Sequence, residues 1–196
     1  MASEVDICNL ALAHLGDNAT VASIDPPEGS AQAEHCARFY PVARDSLLEM
    51  HAWRFATQRQ ALAALAEPSW DWTFAYAEPT GTLKLLAVLP MTAASDDETR
   101  PFDSESGVIR SDCEDASLKF IARVSDTTKF PPLFVDALAW LLASYLAGPV
   151  LKGEAGAAAA KSCLQSFAMA MSSAKVSDAN QRKVRPRHTP GWIAGR

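Results

Sequence analysis

A chain of 196 residues fits one domain, or one domain with an appendage. Its 48% hydrophobic content is ordinary for a soluble protein and enough to build a core, and its net charge of −5 argues against non-specific nucleic-acid binding by the whole surface. The opening residues Ser3, Glu4, Val5 and Asp6 are the wrong chemistry for a signal peptide, so the protein is expected to be made and used in a cytoplasm. Cys8, Cys36, Cys113 and Cys163 are far apart in sequence. A zinc site wants paired ligands and a disulfide framework wants a secreted chain, so reduced, mostly buried cysteines and no cofactor are expected.

In chain order, residues 3–15 read as a first helix. Ser3 and Asp6 have the spacing of a capping box, Val5, Cys8, Leu12 and Leu15 mark one face widened by Ile7 and Ala11, and Gly16 fits the position past the end. The turn-rich linker that follows carries Val21 and Ile24 as anchors onto the core. Residues 31–51 read as a longer helix with a buried stripe of Cys36, Tyr40, Ala43, Leu47 and Met50. Pro41 interrupts it, and a kink is expected there because the stripe keeps its phase. Residues 51–57 read as an extended segment pinned by Trp53 and Phe55, and residues 60–65 as a short helical stretch.

Alternating aromatics Trp70, Trp72, Phe74 and Tyr76 predict a strand with an aromatic face. Residues 82–89, 107–110 and 117–124 are further strands, the last with Leu118, Phe120, Ala122 and Val124 on one face and Lys119 and Arg123 on the other. Residues 91–115 read as an acidic loop, with eight acids, Asp96, Asp97 and Glu98 among them, against Arg100 and Arg110.

Residues 130–150 are the most apolar run, opened by Pro131 and Pro132 and closed by Gly148 and Pro149, and a helix is expected between those marks. Leu133, Phe134, Ala137, Leu138, Leu141, Leu142, Tyr145 and Leu146 make it apolar nearly all round, as a core helix is. Its clean apolar part, residues 137–150, is shorter than the roughly 20 residues a bilayer needs, so no membrane is expected. Residues 152–179 form an alanine-rich fourth helix with Ala160, Leu164, Phe167, Met171 and Ala174 on one face.

The fold class is therefore read as mainly α. A four-helix-type bundle takes its N-terminal helices from residues 1–66 and its C-terminal helices from 127–180. A small antiparallel β subdomain with the acidic loop is inserted at 67–126, and an extended basic tail occupies 181–196. That tail holds Arg182, Lys183, Arg185, Arg187 and Arg196, no acid, two prolines and the apolar pair Trp192 and Ile193. It suits an arm that folds onto another protein first, with DNA phosphate contact or a plain chain end as the other readings.

No catalytic motif is present: no Gly-x-Ser-x-Gly, no Walker-type loop and no His-Glu-x-x-His. His35 and Cys36 are adjacent and diverge on a helix, which suits a surface histidine and a core cysteine better than a catalytic pair. Asp96, Asp97 and Glu98 lack the spacing and turn glycine of a calcium loop, and read as a solvated loop or an acidic rim facing a basic partner or a DNA channel. The aromatics of residues 70–76 lack the basic neighbours of a base-stacking platform, so core packing is the expectation.

The order of several stretches resembles a known family. Ile7-Cys8-Asn9-Leu10-Ala11-Leu12 runs into Leu15-Gly16. Phe39-Tyr40-Pro41-Val42-Ala43-Arg44-Asp45-Ser46-Leu47-Leu48 and Trp53-Arg54-Phe55-Ala56 come next. Phe120-Ile121-Ala122-Arg123-Val124-Ser125-Asp126 then leads to Phe130-Pro131-Pro132-Leu133-Phe134-Val135-Asp136-Ala137-Leu138-Ala139. Together they look like the tail tubular protein A family, the head-to-tail adaptors of short-tailed phages. The resemblance covers most of residues 3–180.

It implies a helical bundle with an inserted β-rich part, a structural rather than enzymatic role, and subunits in a ring, commonly a dodecamer, beneath the portal protein. Such a ring extends the channel for genomic DNA without sequence-specific binding and attaches the tail nozzle. The protein would lie in the virion neck after assembly in the host cytoplasm. The resemblance also assigns portal binding to the tail residues Arg182, Lys183, Arg185, Arg187, Trp192 and Ile193, the two apolar side chains entering pockets and the bases meeting acids. Charge alone gives Asp96, Asp97 and Glu98 a place facing the lumen or a partner, where they keep DNA from sticking. The alternative is a small phage-encoded DNA-binding or enzymatic accessory protein. A recognition helix rich in bases is absent from the long helices, which disfavours the first.

Overall fold

The computed structural model describes residues 2–66 and 71–181. Among the described residues the chain runs α1 (Glu4–His14), α2 (Ala31–Glu49), β1 (Thr57–Ala61), β2 (Ala63–Leu65), β3 (Phe74–Ala77), β4 (Thr82–Pro90), β5 (Phe102–Glu105), β6 (Val108–Ser111), β7 (Ala116–Ala122), α3 (Pro132–Leu151) and α4 (Gly153–Asn180). With 46% helix and 22% strand in two antiparallel sheets, the class is mixed α/β rather than mainly α.

The helices begin where their chemistry says. The Ser3 hydroxyl accepts from the Asp6 N–H at 3.1 Å, and Asp6 Oδ2 accepts from the Ser3 N–H at 2.8 Å. These bonds from Ser3 to the carboxylate hold Asp6 below the usual carboxylate value. Ile7, Cys8, Ala11 and Leu12 are buried. Asn9 fastens the following linker by exchanging two hydrogen bonds with the Val21 backbone, at 2.8 and 2.9 Å, and Val21 and Ile24 are buried as anchors. α2 is a single helix through Pro41, which lies on the exposed side. Cys36, Tyr40, Ala43 and Leu47 are buried, but Met50, expected on the same stripe, is 47% exposed because it sits at the cap where the helix ends.

α3 is the centre of the core and packs against α1, α2 and α4. It does not stop before Gly148 and Pro149 but continues through them to Leu151. The correction has a simple cause: a proline in the last turn removes only the bond to the Tyr145 carbonyl, at an end where the ladder is finishing anyway. Lys152 and Gly153, both with positive φ (56° and 55°), then reverse the chain into α4. By length and composition α3 is sufficient to cross a membrane, contrary to the expectation from residues 137–150 alone. Ten of its residues, from Phe134 to Ala147, are buried within the protein.

α4 folds back along α3, and Gly156 makes the approach: a Cβ there would lie 2.9 Å from the Ala147 carbonyl oxygen. This contact sets the rotation of α4, so the buried line is Gly156, Cys163, Met171, Ala174 and Asp178, and Leu164, expected inside, is 48% exposed.

One sheet has the order β1-β7-β4 and the other β2-β3-β6-β5. Residues 60–65 are therefore strand, not helix: β1 pairs antiparallel with β7 (Gln60 opposite Leu118), and β2 pairs with β3 (Ala64 opposite Tyr76). Two strands thus precede residue 67. The strand expected over 107–110 is β6, but the rest of 91–115 is not all loop, since β5 pairs with β6 there as a hairpin. The strand expected over 70–76 begins at Phe74; Trp70 lies outside the described residues and Trp72 is in a bend. β7 is central and buried on both sides. Leu118 and Phe120 join Tyr76, Val88 and Ile109 in a second small core, whereas Ile121 belongs to the main one.

Residues 51–57 form a turn rather than an extended segment: the Thr57 N–H returns to the Trp53 carbonyl at 2.8 Å. Trp53 is fully buried, donates from Nε1 to the Leu47 carbonyl at 2.8 Å, and meets Phe134 edge-on with ring centroids 5.0 Å apart. Phe55 packs edge-on against Phe134 as well.

Candidate functional site

Two regions were singled out by charge, and the structure treats them differently. The tail residues Arg182, Lys183, Arg185, Arg187, Trp192 and Ile193 lie outside the described residues. The base from which the tail departs is well defined. Asp178, in the last turn of α4, is buried. Its Oδ1 accepts from the Arg54 backbone N–H at 3.0 Å, and its Oδ2 lies 3.3 Å from His51 Nε2. α4 is thereby fastened to the turn that joins α2 to β1. A buried carboxylate needs such partners, since leaving it without them costs several kcal/mol, on the order of 3–5 for a broken buried pair.

The acidic loop is folded and partly neutralised. Asp96 Oδ2 receives Lys119 Nζ from β7 at 2.8 Å. Glu98 Oε1 accepts from the backbone N–H groups of Ala94 and Ser95 at 3.0 and 3.2 Å, and the Asp97 N–H donates to Ser95 Oγ at 3.2 Å. All three side chains remain exposed. The Asp96 carboxylate thus ties the loop to β7 and that of Glu98 holds the loop's own backbone, while both face solvent.

The remaining candidates from the sequence are structural. Tyr76 is buried and its hydroxyl donates to the Cys113 carbonyl, so the aromatic face of β3 packs inward rather than forming an open stacking surface. All four cysteines are free and buried. Hydrogen bonding to Cys36 and burial push the Cys8 thiol well above its ordinary value, and burial also raises Cys113 and Cys163. His35 leans its ring on Phe39, with centroids 6.4 Å apart, beside the fully buried Cys36. Among the described residues no group of three or more His, Cys, Asp or Glu has an arrangement that could hold a metal.

Two features escaped the sequence reading. The Asp178 clamp joins residues 124 positions apart, which no local pattern reveals. The outward surface of α4, with Leu164, Met169 and Val176 at 48–68% exposure, follows from the rotation that Gly156 imposes. No protein-family model matches the chain, and comparison with curated proteins finds no match.

Proposed function

We propose that the chain is a structural virion protein, a head-to-tail adaptor without enzymatic activity. Its subunits form a ring, a dodecamer, below the portal protein in the virion neck, extend the channel for genomic DNA and attach the tail nozzle. The observation that carries this reading is the order of elements: two helices, two inserted sheets, then a helical hairpin that ends at the root of a basic tail. That order is what the resembled family implies.

The tail is the portal-binding part. Its arginines and Lys183 meet acids, and Trp192 and Ile193 enter apolar pockets; these contacts offset the entropy of ordering the segment. The clamp of Asp178 on Arg54 supports this role by giving the tail a fixed root on the body. Asp96, Asp97 and Glu98 face the lumen or a partner and keep DNA from adhering, because like charge repels the phosphate backbone.

The test is co-sedimentation with the cognate portal ring, for the full chain and for a chain ending at Asn180. The full chain is expected to sediment with the portal and the shortened chain to stay behind. Equal binding by both removes the tail from the interface, and binding by neither removes the adaptor role.

A further inference from the structure

We infer that Cys8 and Cys36 are a redox pair that closes to a disulfide between α1 and α2 when the protein passes from reducing to oxidising surroundings. The inference goes beyond the adaptor reading. Only the moment of closure, when a particle leaves the host cytoplasm, rests on that reading.

Four cysteines are buried and free, but among the described residues only these two are bonded to each other. Cys8 lies on the inner face of α1 and Cys36 on that of α2, and both are completely buried in the main core. Their thiols share a hydrogen bond in which Cys8 donates and Cys36 accepts. Contact between two sulfurs from helices 28 positions apart in the chain is the approach that a disulfide needs. Cys113, by contrast, lies in the second core and donates to the Glu114 carbonyl at 3.5 Å, and Cys163 is on α4.

The surroundings sort the pair into two roles. The bond from Cys8 pulls the Cys36 thiol below its ordinary value although burial acts the other way. The same bond, burial and the charge of Glu4, one turn before Cys8, keep Cys8 protonated. Cys36 is therefore the nucleophile and Cys8 the resolving thiol. Tyr40 stands one turn beyond Cys36 on the same buried stripe, and its hydroxyl is buried without a hydrogen-bond partner. It is a free donor for an oxygen entering this layer. Hydrogen peroxide is little larger than water, so a core that shuts out a bulkier thiol reagent admits it through local opening.

With a peroxide as oxidant the chemistry balances. The Cys36 thiolate attacks one oxygen of hydrogen peroxide, the O–O bond breaks, and a sulfenic acid and a water form. Cys8 then attacks the Cys36 sulfur: the S–S bond forms, the S–O bond breaks, and the second oxygen leaves as water. The two thiol protons go to the two waters, both sulfurs are oxidised and the peroxide is reduced. The new bond ties α1 and its linker onto α2. That linker is otherwise held by Asn9 on the Val21 backbone and by Gln32, whose Nε2 donates to Asp17 Oδ2 at 3.2 Å. Closing the loop covalently restricts the unfolded chain and so stabilises the fold.

The test is treatment of the full reduced chain with hydrogen peroxide under native conditions, then denaturation, alkylation and peptide mass spectrometry without reduction. Exposure alone predicts that Cys113 (6% exposed) and Cys163 (4%) react before Cys8 and Cys36 (both 0%). The pair predicts the reverse order: Cys8 and Cys36 disappear together into one linked peptide, at least about fivefold faster than the other two thiols are lost. The rate should not depend on protein concentration. The linked protein should melt roughly 5–10 °C higher, a gain that reductant removes. Cys8→Ala should slow the loss of the Cys36 thiol to the range of Cys113 and Cys163. If that variant loses its fold by circular dichroism, the order of reaction in the natural chain decides by itself. Earlier reaction of Cys113 or Cys163, linkage between chains, or a linked protein that melts no higher overturns the inference. Portal binding by the reduced chain is scored separately by co-sedimentation, so failure of the adaptor reading leaves the disulfide standing, and failure of the disulfide leaves the adaptor reading standing.

Discussion

The carboxylate of Asp178 accepts a 3.0 Å hydrogen bond from the backbone N–H of Arg54, joining the last turn of α4 to the turn after α2 across 124 residues of sequence. Both sheets and the whole of α3 lie between these two positions in the chain. The bond therefore closes the fold near the point from which the tail leaves. Asp178→Ala leaves a partly buried N–H without an acceptor. The expected loss is about 1–3 kcal/mol, or roughly 2–10 °C in Tm by calorimetry. Asp178→Asn keeps an acceptor oxygen for Arg54 and should lose less. Equal stability of Asp178→Ala and the natural chain would show that the bond contributes nothing.

Gly156→Ala tests the packing of the α3–α4 hairpin. In an exposed helix interior this change stabilises by about 1 kcal/mol. Here the added Cβ meets the Ala147 carbonyl oxygen at 2.9 Å and Gly148 Cα at 3.3 Å, both backbone atoms that cannot swing away. A net destabilisation of about 1–3 kcal/mol in denaturant unfolding is expected, the range for overpacked cores. A gain in stability would contradict the close approach.

Much of the helical framework was legible in the sequence because its signals are local. The capping pair Ser3 and Asp6, the stripe of α2 and the double proline at Pro131 and Pro132 each lie within one element. The errors fall where the deciding partner is distant. β1 (Thr57–Ala61) is mostly exposed and shows no alternation; it is a strand because β7, some sixty residues later, pairs with it, Thr57 opposite Ile121. The buried line of α4 depends on Gly156 against Ala147, so an alanine-rich run in which many faces look alike gave no phase of its own. Of the candidate site, the charge of the tail and of the acidic loop could be read directly. The Lys119 partner of Asp96 and the clamp on Asp178 required the fold.

The acidic loop separates a structural role from a channel role. Lys119 and Asp96 are 28% and 43% exposed, and an exposed pair of this kind contributes about 1 kcal/mol or less. Replacing Asp96, Asp97 and Glu98 by their amides should thus change stability little, since an amide oxygen can still accept the N–H groups of Ala94 and Ser95 at residue 98. In assembled particles the same triple variant is expected to slow DNA release severalfold at low salt, an effect that added salt reduces. Unchanged release kinetics would count against a lumenal position for the loop.

Two of the buried cysteines give a pH prediction with a definite sign. Burial raises the thiol pKa values of Cys113 and Cys163 above the ordinary 9.0, whereas the unfolded chain ionises near that value. Above about pH 9 the unfolded state binds fewer protons than the native one, so stability falls as pH rises. Below pH 9 these groups leave stability flat. Denaturant unfolding between pH 7 and pH 9.5 measures the slope, and replacing Cys113 and Cys163 by alanine should reduce it. A thiol reagent should find none of the four cysteines in the native protein and all four after unfolding.

The central claim is ring assembly on the portal, and light scattering coupled to size separation tests it most directly. The full chain alone should elute with the mass of one 21.1 kDa subunit, and with the portal it should add the mass of twelve such subunits to each portal ring. A portal whose mass is unchanged in the presence of excess protein would contradict the adaptor account.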